Sequence, residues 1–302
     1  MTEAASDNPL LAVRDLRFRY PGQAEPTVRG ISFAVEPGEV LGILGPNGSG
    51  KSTLLSAVFD ARRGHRTGVV SYRSAPVTGA VGDLVGYATQ QTALYQLLTT
   101  KENLTHAARL ALPGKRVRAA VDAAADEFGL GLVVNRVVGE LSGGWQRLVH
   151  IAASFVHDPP LRFLDEPTNA LDFETRGRLV ELVRAWSGRG VASVVTSHYP
   201  EDLEEMCSRL LIIKGGEVIR SATLSRLLAG LSRQLVVDVS DERGAREVRI
   251  PLPEYAEELS GAVADAVRVD GAAKLTGLRV TAATLRGLLT EDPELAGLVD
   301  DA

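Results

Sequence analysis

Hydrophobic residues alternate with polar ones at the start of the chain. Leu16, Phe18 and Tyr20 fall at period two, which predicts a half-buried strand over residues 11–20, broken by Pro21-Gly22. A second alternating run, Ile31 to Val35, ends at the turn Pro37-Gly38. Val40 to Leu44 is an apolar run and predicts a further strand. Further strands are predicted at Val69 to Tyr72, Leu84 to Ala88, Leu161 to Leu164 and Val191 to Thr196. A hairpin is predicted from Leu210 to Ile219 around Gly215-Gly216. Between residues 100 and 138 the period changes to that of a helix. Leu104, Ala107, Ala108 and Ala111 share one face, as do Val117, Val121, Ala124 and Phe128, with Pro113-Gly114 between the two segments. Leu148, Ile151, Ala152, Phe155 and Val156 mark another helix face, which stops at Asp158-Pro159-Pro160. The pattern is that of an α/β domain with a small antiparallel β layer and an α-helical insertion. Beyond Leu231 it turns to short strands (235–239, 248–250, 267–269, 278–280) and helices (254–267, 284–289), a small α+β appendage.

The chain has 302 residues, room for one large or two ordinary domains. No apolar run approaches the ~18–20 residues that cross a bilayer. Met1 to Pro9 is polar and lacks a signal-peptide core, which argues against secretion. The one cysteine, Cys207, excludes an intrachain disulfide and a multi-cysteine zinc site, and suits a reducing cytoplasm. A net charge of −5 weighs against nucleic acid as the main partner. Residues 231–302 hold 8 Lys/Arg against 14 Asp/Glu, so the appendage is acidic and the remainder about neutral.

Candidate chemistry begins at Gly45-Pro46-Asn47-Gly48-Ser49-Gly50-Lys51-Ser52-Thr53, which fits G-x-x-x-x-G-K-[ST] between a predicted strand and a predicted helix. Glycines let backbone N–H groups turn around a polyphosphate, and the helix N-terminus adds partial positive charge. Lys51 would reach the β- and γ-phosphates and Ser52 would ligate Mg²⁺. Asp165-Glu166 ends a buried strand, where ligands of open α/β sheets bind. There Asp165 would hold Mg²⁺ from outside its directly bound ligands and Glu166 would orient and deprotonate the attacking water. Ser142-Gly143-Gly144 opens a helix, a second anion-binding geometry but weak alone. His198 ends the strand 191–196 and shares that sheet edge. Tyr20 has two readings, closure of a strand or stacking on an adenine, and spacing alone favours the first.

Together these residues resemble the nucleotide-binding subunit of an ATP-binding cassette (ABC) transporter, from about Leu11 to Leu228. Six elements stand in that family's order: the Walker A loop (Gly45 to Thr53), the Q-loop (Gln90), the signature (Leu141 to Gly144), Walker B (Leu161 to Glu166), the D-loop (Asn169-Ala170-Leu171-Asp172) and the switch histidine (His198). The resemblance implies a P-loop NTPase core at 11–230, its helical insertion at about 91–158, after a polar tail at 1–10 and before an accessory domain at 231–302. It implies ATP and Mg²⁺ as ligands. Tyr20 then becomes the adenine-stacking residue and Gln90 a sensor of γ-phosphate and Mg²⁺. His198 becomes a stabiliser of transition-state charge. It further implies a second nucleotide-binding subunit, in a homodimer or heterodimer. ATP would lie between the Walker A loop of one chain and Ser142-Gly143-Gly144 of the other. A separate transmembrane permease subunit would hold the protein peripherally at the cytoplasmic face of the cell membrane.

Three positions depart from the family's usual text. Arg147 stands where glutamine is usual, Arg162 interrupts the apolar Walker B run, and Ser208 replaces a common aspartate. Trp145 is expected to pack on the helical insertion or the partner chain. Arg162 is expected to pack its stem and find a charge partner at the sheet edge. Exporter cassettes of the drug-resistance type carry tails ending in a Thr-Leu-x-x-Leu-like helix, so the tail favours export. The alternatives are an importer ATPase and a soluble ABC ATPase acting on ribosomes or DNA. A single cassette per chain, without a long coiled coil or zinc module, disfavours the soluble class.

Overall fold

The computed structural model describes residues 9–59, 63–77, 84–169, 171–229, 234–241, 244–251, 274–281, 284–292 and 294–295. They divide into two compact units with the boundary between Leu224 and Ser225.

In the first unit, β1 (Leu11–Arg19) pairs antiparallel with β2 (Val28–Val35) and with β4 (His65–Tyr72), and the short β5 (Ala75–Pro76) completes a four-stranded sheet of order β2-β1-β4-β5. The second sheet has six strands in the order β10-β9-β3-β8-β7-β6. These are β3 (Val40–Leu44), β6 (Val85–Ala88), β7 (Leu161–Asp165), β8 (Ala192–Ser197), β9 (Arg209–Lys214) and β10 (Glu217–Thr223). All pairings are parallel except that of β10 with β9. Every residue of β3, β7 and β8 is buried, as strands covered on both faces require.

Helix α1 (Lys51–Val58) touches both sheets, through β1 and β7. Its Leu54, Leu55 and Val58 join Leu16, Phe18, Ile43 and Phe163 in one apolar core. The insertion holds α2 (Thr100–Ala111) and α3 (Gly114–Glu127). Thr99 and Glu102 form a reciprocal capping box that starts α2. The predicted helical stretch to residue 138 is too long. Gly129 turns to φ +61 and ends it, and Arg178 takes up the freed Phe128 and Gly129 carbonyls. A single 3₁₀ turn, Val138–Glu140, precedes α4 (Gly143–Phe155). Then come α5 (Phe173–Gly188) and α6 (Pro200–Met206), and α7 (Leu224–Leu228) begins at the boundary between the units. Cys207 is buried at the end of α6, and burial pushes its thiol far up.

Arg162, the second residue of β7, is fully buried. Its guanidinium lies 4.4 Å from the Trp186 ring and 5.3 Å from the Phe155 ring. The stem packs as expected. The charge meets Asp158 at 2.7 Å and Glu127, at the end of α3, at 3.6 Å. Both partners lie at the strand's N-terminal end, because that is where Arg162 sits, opposite the ligand-facing edge.

In the second unit, β11 (Gln234–Asp241) is the centre of an antiparallel sheet between β12 (Gly244–Pro251) and β13 (Lys274–Thr281). Helix α8 (Leu285–Glu291) is capped by Thr284, whose hydroxyl accepts from Gly287 N. The helix expected at 254–267 and the strand at 267–269 lie outside the described residues.

Candidate nucleotide site

The strand order brings the sequence's scattered candidates to one edge. β3, β8, β7 and β6 are consecutive and parallel, so the segments that follow each strand emerge side by side at the C-terminal end of the sheet. In that order they carry the Gly45–Thr53 loop, His198, Asp165-Glu166 and Gln90.

The loop leaves β3 and enters α1 without an intervening residue beyond Gly50. Gly48 (φ +79) and Gly50 (φ +101) occupy the left-handed region that glycine tolerates best. A side chain at Gly45 would put its Cβ 2.4 Å from the Ile213 carbonyl. The buried Ser49 hydroxyl has no hydrogen-bond partner among the described residues, and α1 presents its N-terminal N–H groups beside it. Such an orphaned donor in a glycine loop fits an anion with several oxygens. Lys51 is 5% exposed. Its Nζ donates to Gly45 O (2.7 Å) and Pro46 O (3.3 Å) and stands 3.3 Å from Glu166 Oε1.

Glu166 is 4% exposed and adopts φ +47, unusual for a residue with a side chain. Its N–H donates to Thr196 Oγ1 (2.9 Å). Thr196 in turn donates to Asp165 Oδ1 (2.7 Å), and the Tyr87 hydroxyl donates to Asp165 Oδ2 (3.3 Å). Besides Lys51, the Glu166 carboxylate receives Asn169 Nδ2 (2.7 Å) and His198 Nδ1 (2.6 Å). His198 stacks on Tyr199 with ring centroids 3.9 Å apart.

Tyr20 lies just past β1. Its ring meets Phe18 edge-on at 5.0 Å, and its hydroxyl is 3.0 Å from Thr53 Oγ1, which ties it to the phosphate loop's helix. Ser52, Gln90 and Asp165 offer hard oxygen donors with a single carboxylate. That is the donor set Mg²⁺ takes when substrate phosphates complete its shell. The residues therefore fit Mg²⁺.

Ser142-Gly143-Gly144 does not join this cluster; it leans on the start of α5. A Cβ on Gly144 would stand 3.3 Å from Asp172 Oδ2 and from Thr175 Oγ1. Ser142 caps α4 by accepting from Trp145 N at 3.5 Å. Trp145 meets Arg178 of α5, whose guanidinium carbon is 5.1 Å from its ring.

Sequence reasoning passed over several residues. Thr196, Tyr87 and Asn169 orient the carboxylates, and only Asn169 stood in a recognised motif. Arg147, noted in the sequence only as a departure, and His150, both on α4 and each 4% exposed, hold the backbone around Gln90. Burial pulls the Arg147 guanidinium down to about 10, against the Asp165 and Glu166 carboxylates. Burial, then the Arg147 charge, pull His150 down to about 4. The available signal was a cation on the apolar stripe of a helix.

A parallel sheet whose C-terminal edge carries a glycine loop, two acids and a histidine defines a P-loop nucleotide-hydrolase site. The family model for ABC transporters matches residues 28–169. The linearmycin resistance ATP-binding protein LnrL of Bacillus subtilis is 32% identical over 217 residues, covering 70% of each chain. A fluoroquinolones export ATP-binding protein of Mycobacterium tuberculosis is 32% identical over 229 residues, covering 75% of each. ABC transporter G family member 21 of Arabidopsis thaliana is 36% identical over 208 residues, which is 66% of this chain but only 31% of that protein. Among solved structures, a dimeric post-hydrolysis state of an ATP-binding cassette bound to ADP and Pi is 26% identical. It covers 71% of this chain and 98% of that one, with a TM-score of 0.63. The chain belongs to the ATP-binding proteins of ABC transporters and is an ATPase. Among the described residues no helix is long and apolar enough to cross a membrane.

Proposed function

We propose that this chain is the ATP-hydrolysing subunit of an ABC exporter, that it works as a dimer of nucleotide-binding subunits, and that a separate transmembrane polypeptide carries the substrate pathway. The observation that carries the reading is the Glu166 carboxylate, buried at the sheet edge among Lys51, Asn169 and His198.

In this reading the N–H groups of Gly45–Thr53 and the α1 N-terminus hold the ATP phosphates, with the Tyr20 ring against the adenine. Lys51 turns from the Gly45 and Pro46 carbonyls and Glu166 towards phosphate oxygens. Glu166 Oε takes a proton from water as the water oxygen attacks the γ-phosphorus. The bond to the β–γ bridging oxygen breaks, and ADP and phosphate leave. Asn169 and His198 hold the base in place, and His198 also faces the developing charge. Ser52, Asp165 and the Gln90 side chain would hold Mg²⁺, which when bound neutralises phosphate charge. Ser142-Gly143-Gly144 of a second chain closes over the nucleotide, and release of products opens the pair. Export is supported by the relatives named for fluoroquinolone export and linearmycin resistance.

Glu166→Gln keeps the shape and removes the base. Its kcat should fall at least about 100-fold while ATP affinity stays within about threefold. Hydrolysis at the wild-type rate would refute Glu166 as base. Solubilised membranes should yield the chain together with a polytopic membrane protein. Recovery with ribosomes or DNA alone would overturn the transporter reading.

A further inference from the structure

Arg147 is placed unlike any other cation in the described structure. Its Nη1 donates to the carbonyls of Thr89 (2.6 Å) and Gln90 (2.8 Å). Its Nη2 donates to those of Asp165 (2.8 Å) and Glu166 (3.1 Å), and its Nε to that of Pro167 (3.3 Å). All five N–H donors of the guanidinium thus end on backbone carbonyls, three on one loop and two on another. Among the described residues no carboxylate stands within ion-pair distance of it. A buried cation whose hydrogen bonds all end on neutral dipoles is costly to bury even with the Asp165 and Glu166 carboxylates acting in its favour, and here it joins two loops. One turn along the same helix, His150 adds a second grip. Its Nδ1 accepts from Ala93 N (3.4 Å) and its Nε2 donates to Thr89 O (3.2 Å). Arg147 also lies three residues after Gly144, at the start of the second turn of the helix that Ser142 caps.

We propose that Arg147 is a positioning residue for ATP hydrolysis: it fixes the backbone spacing between Gln90 and Glu166 and ties that spacing to the helix that begins with Ser142-Gly143-Gly144. The inference rests on the functional reading above. The planar fork suits the task because it reaches both loops at once with the donors held in one plane. A movement of α4 is then delivered to the γ-phosphate sensor and to the base together, through their main chains.

The test uses the full-length chain with Arg147→Met, Arg147→Gln and Arg147→Lys. Methionine fills much of the space without a donor. Glutamine offers two donors and no charge, and lysine offers charge without the fork. In steady-state hydrolysis Arg147→Met should lose about 30-fold in kcat, with Mg·ATP affinity from equilibrium binding within about threefold. Arg147→Gln should recover to within about fivefold of wild type and exceed Arg147→Lys. Without nucleotide, hydrogen exchange at residues 89–93 and 165–168 should quicken together by roughly tenfold in Arg147→Met, with the β3 and β8 amides unchanged. If methionine does not yield a folded chain, the order of glutamine and lysine decides. The proposal is overturned if kcat in Arg147→Met stays within about twofold of wild type, if affinity falls in step with kcat, if lysine exceeds glutamine, or if only one segment loses protection. An unsubstituted chain without ATPase activity would instead sink the functional reading, and the exchange result would still judge the bridge.

Discussion

At Glu166 the backbone sits at φ +47, a conformation that costs of order 1–3 kcal/mol for a residue with a side chain. The Thr196 hydroxyl and carbonyl, which both accept from Glu166 N, hold it there and aim the carboxylate at Lys51 and His198. His150 shows how burial at this site reaches into solution behaviour. The ring is held neutral near a pKa of about 4 by burial and by Arg147, whereas an exposed histidine titrates near 6.5. Between those values the unfolded chain binds the extra proton. The stability His150 permits is therefore complete above about pH 6.5 and declines as pH falls towards 4, by about 3 kcal/mol in all. His150→Gln should flatten the pH dependence of the urea midpoint in that window, and an unchanged slope would absolve His150. The sequence made the Gly45–Thr53 loop and the Asp165-Glu166 pair legible because their chemistry lies in contiguous residues. Thr196 and Tyr87 escaped because their roles arise from strand register: Thr196 is the partner of Asp165 across β7 and β8. Arg147 was visible only as a departure, since its five partners come from two other segments.

The elements whose periodicity was strongest, β3, β7 and α4, form where the hydrophobic pattern puts them. The insertion's end did not, because Gly129 and the Arg178 contacts stop the helix where apolar spacing alone would continue it. The same end of α3 carries Glu127, which accepts from Trp186 Nε1 (2.9 Å) and pairs with Arg189 and Arg162. One carboxylate thus joins the insertion to β7, to α5 and to the residue that follows α5. Glu127→Ala leaves the Arg162 charge buried with Asp158 alone and the indole N–H without its acceptor, and should cost about 2–4 kcal/mol in urea unfolding. Arg162→Met should cost less, about 1 kcal/mol, because an apolar chain fits the slot between Trp186 and Phe155. The reverse order would mean that the stacking of Arg162, not its charge pairing, holds α3.

At the scale of the molecule, the proposed nucleotide site has two parts, and one chain keeps them apart. Lys51 contacts Glu166, while the Ser142-Gly143-Gly144 turn packs on Asp172 and Thr175. If the second half comes from another copy of this chain, two defects in different chains should complement. A Cβ on Gly143 meets nothing within 4 Å, so Gly143→Glu should fold, and an acidic residue is welcome in the first turn of α4. It would nonetheless oppose a polyphosphate laid against that turn. Lys51→Ala removes the cation from the other half. Each variant alone should be inactive in ATP hydrolysis. Mixed in equal amounts, half of the dimers carry both defects in one site and none in the other, so about a quarter of wild-type activity should return. Recovery at that level makes the protein a homodimer with composite sites. If the mixture stays inactive while each variant still binds ATP, the partner is a different nucleotide-binding chain, and Gly143 acts on that chain's nucleotide.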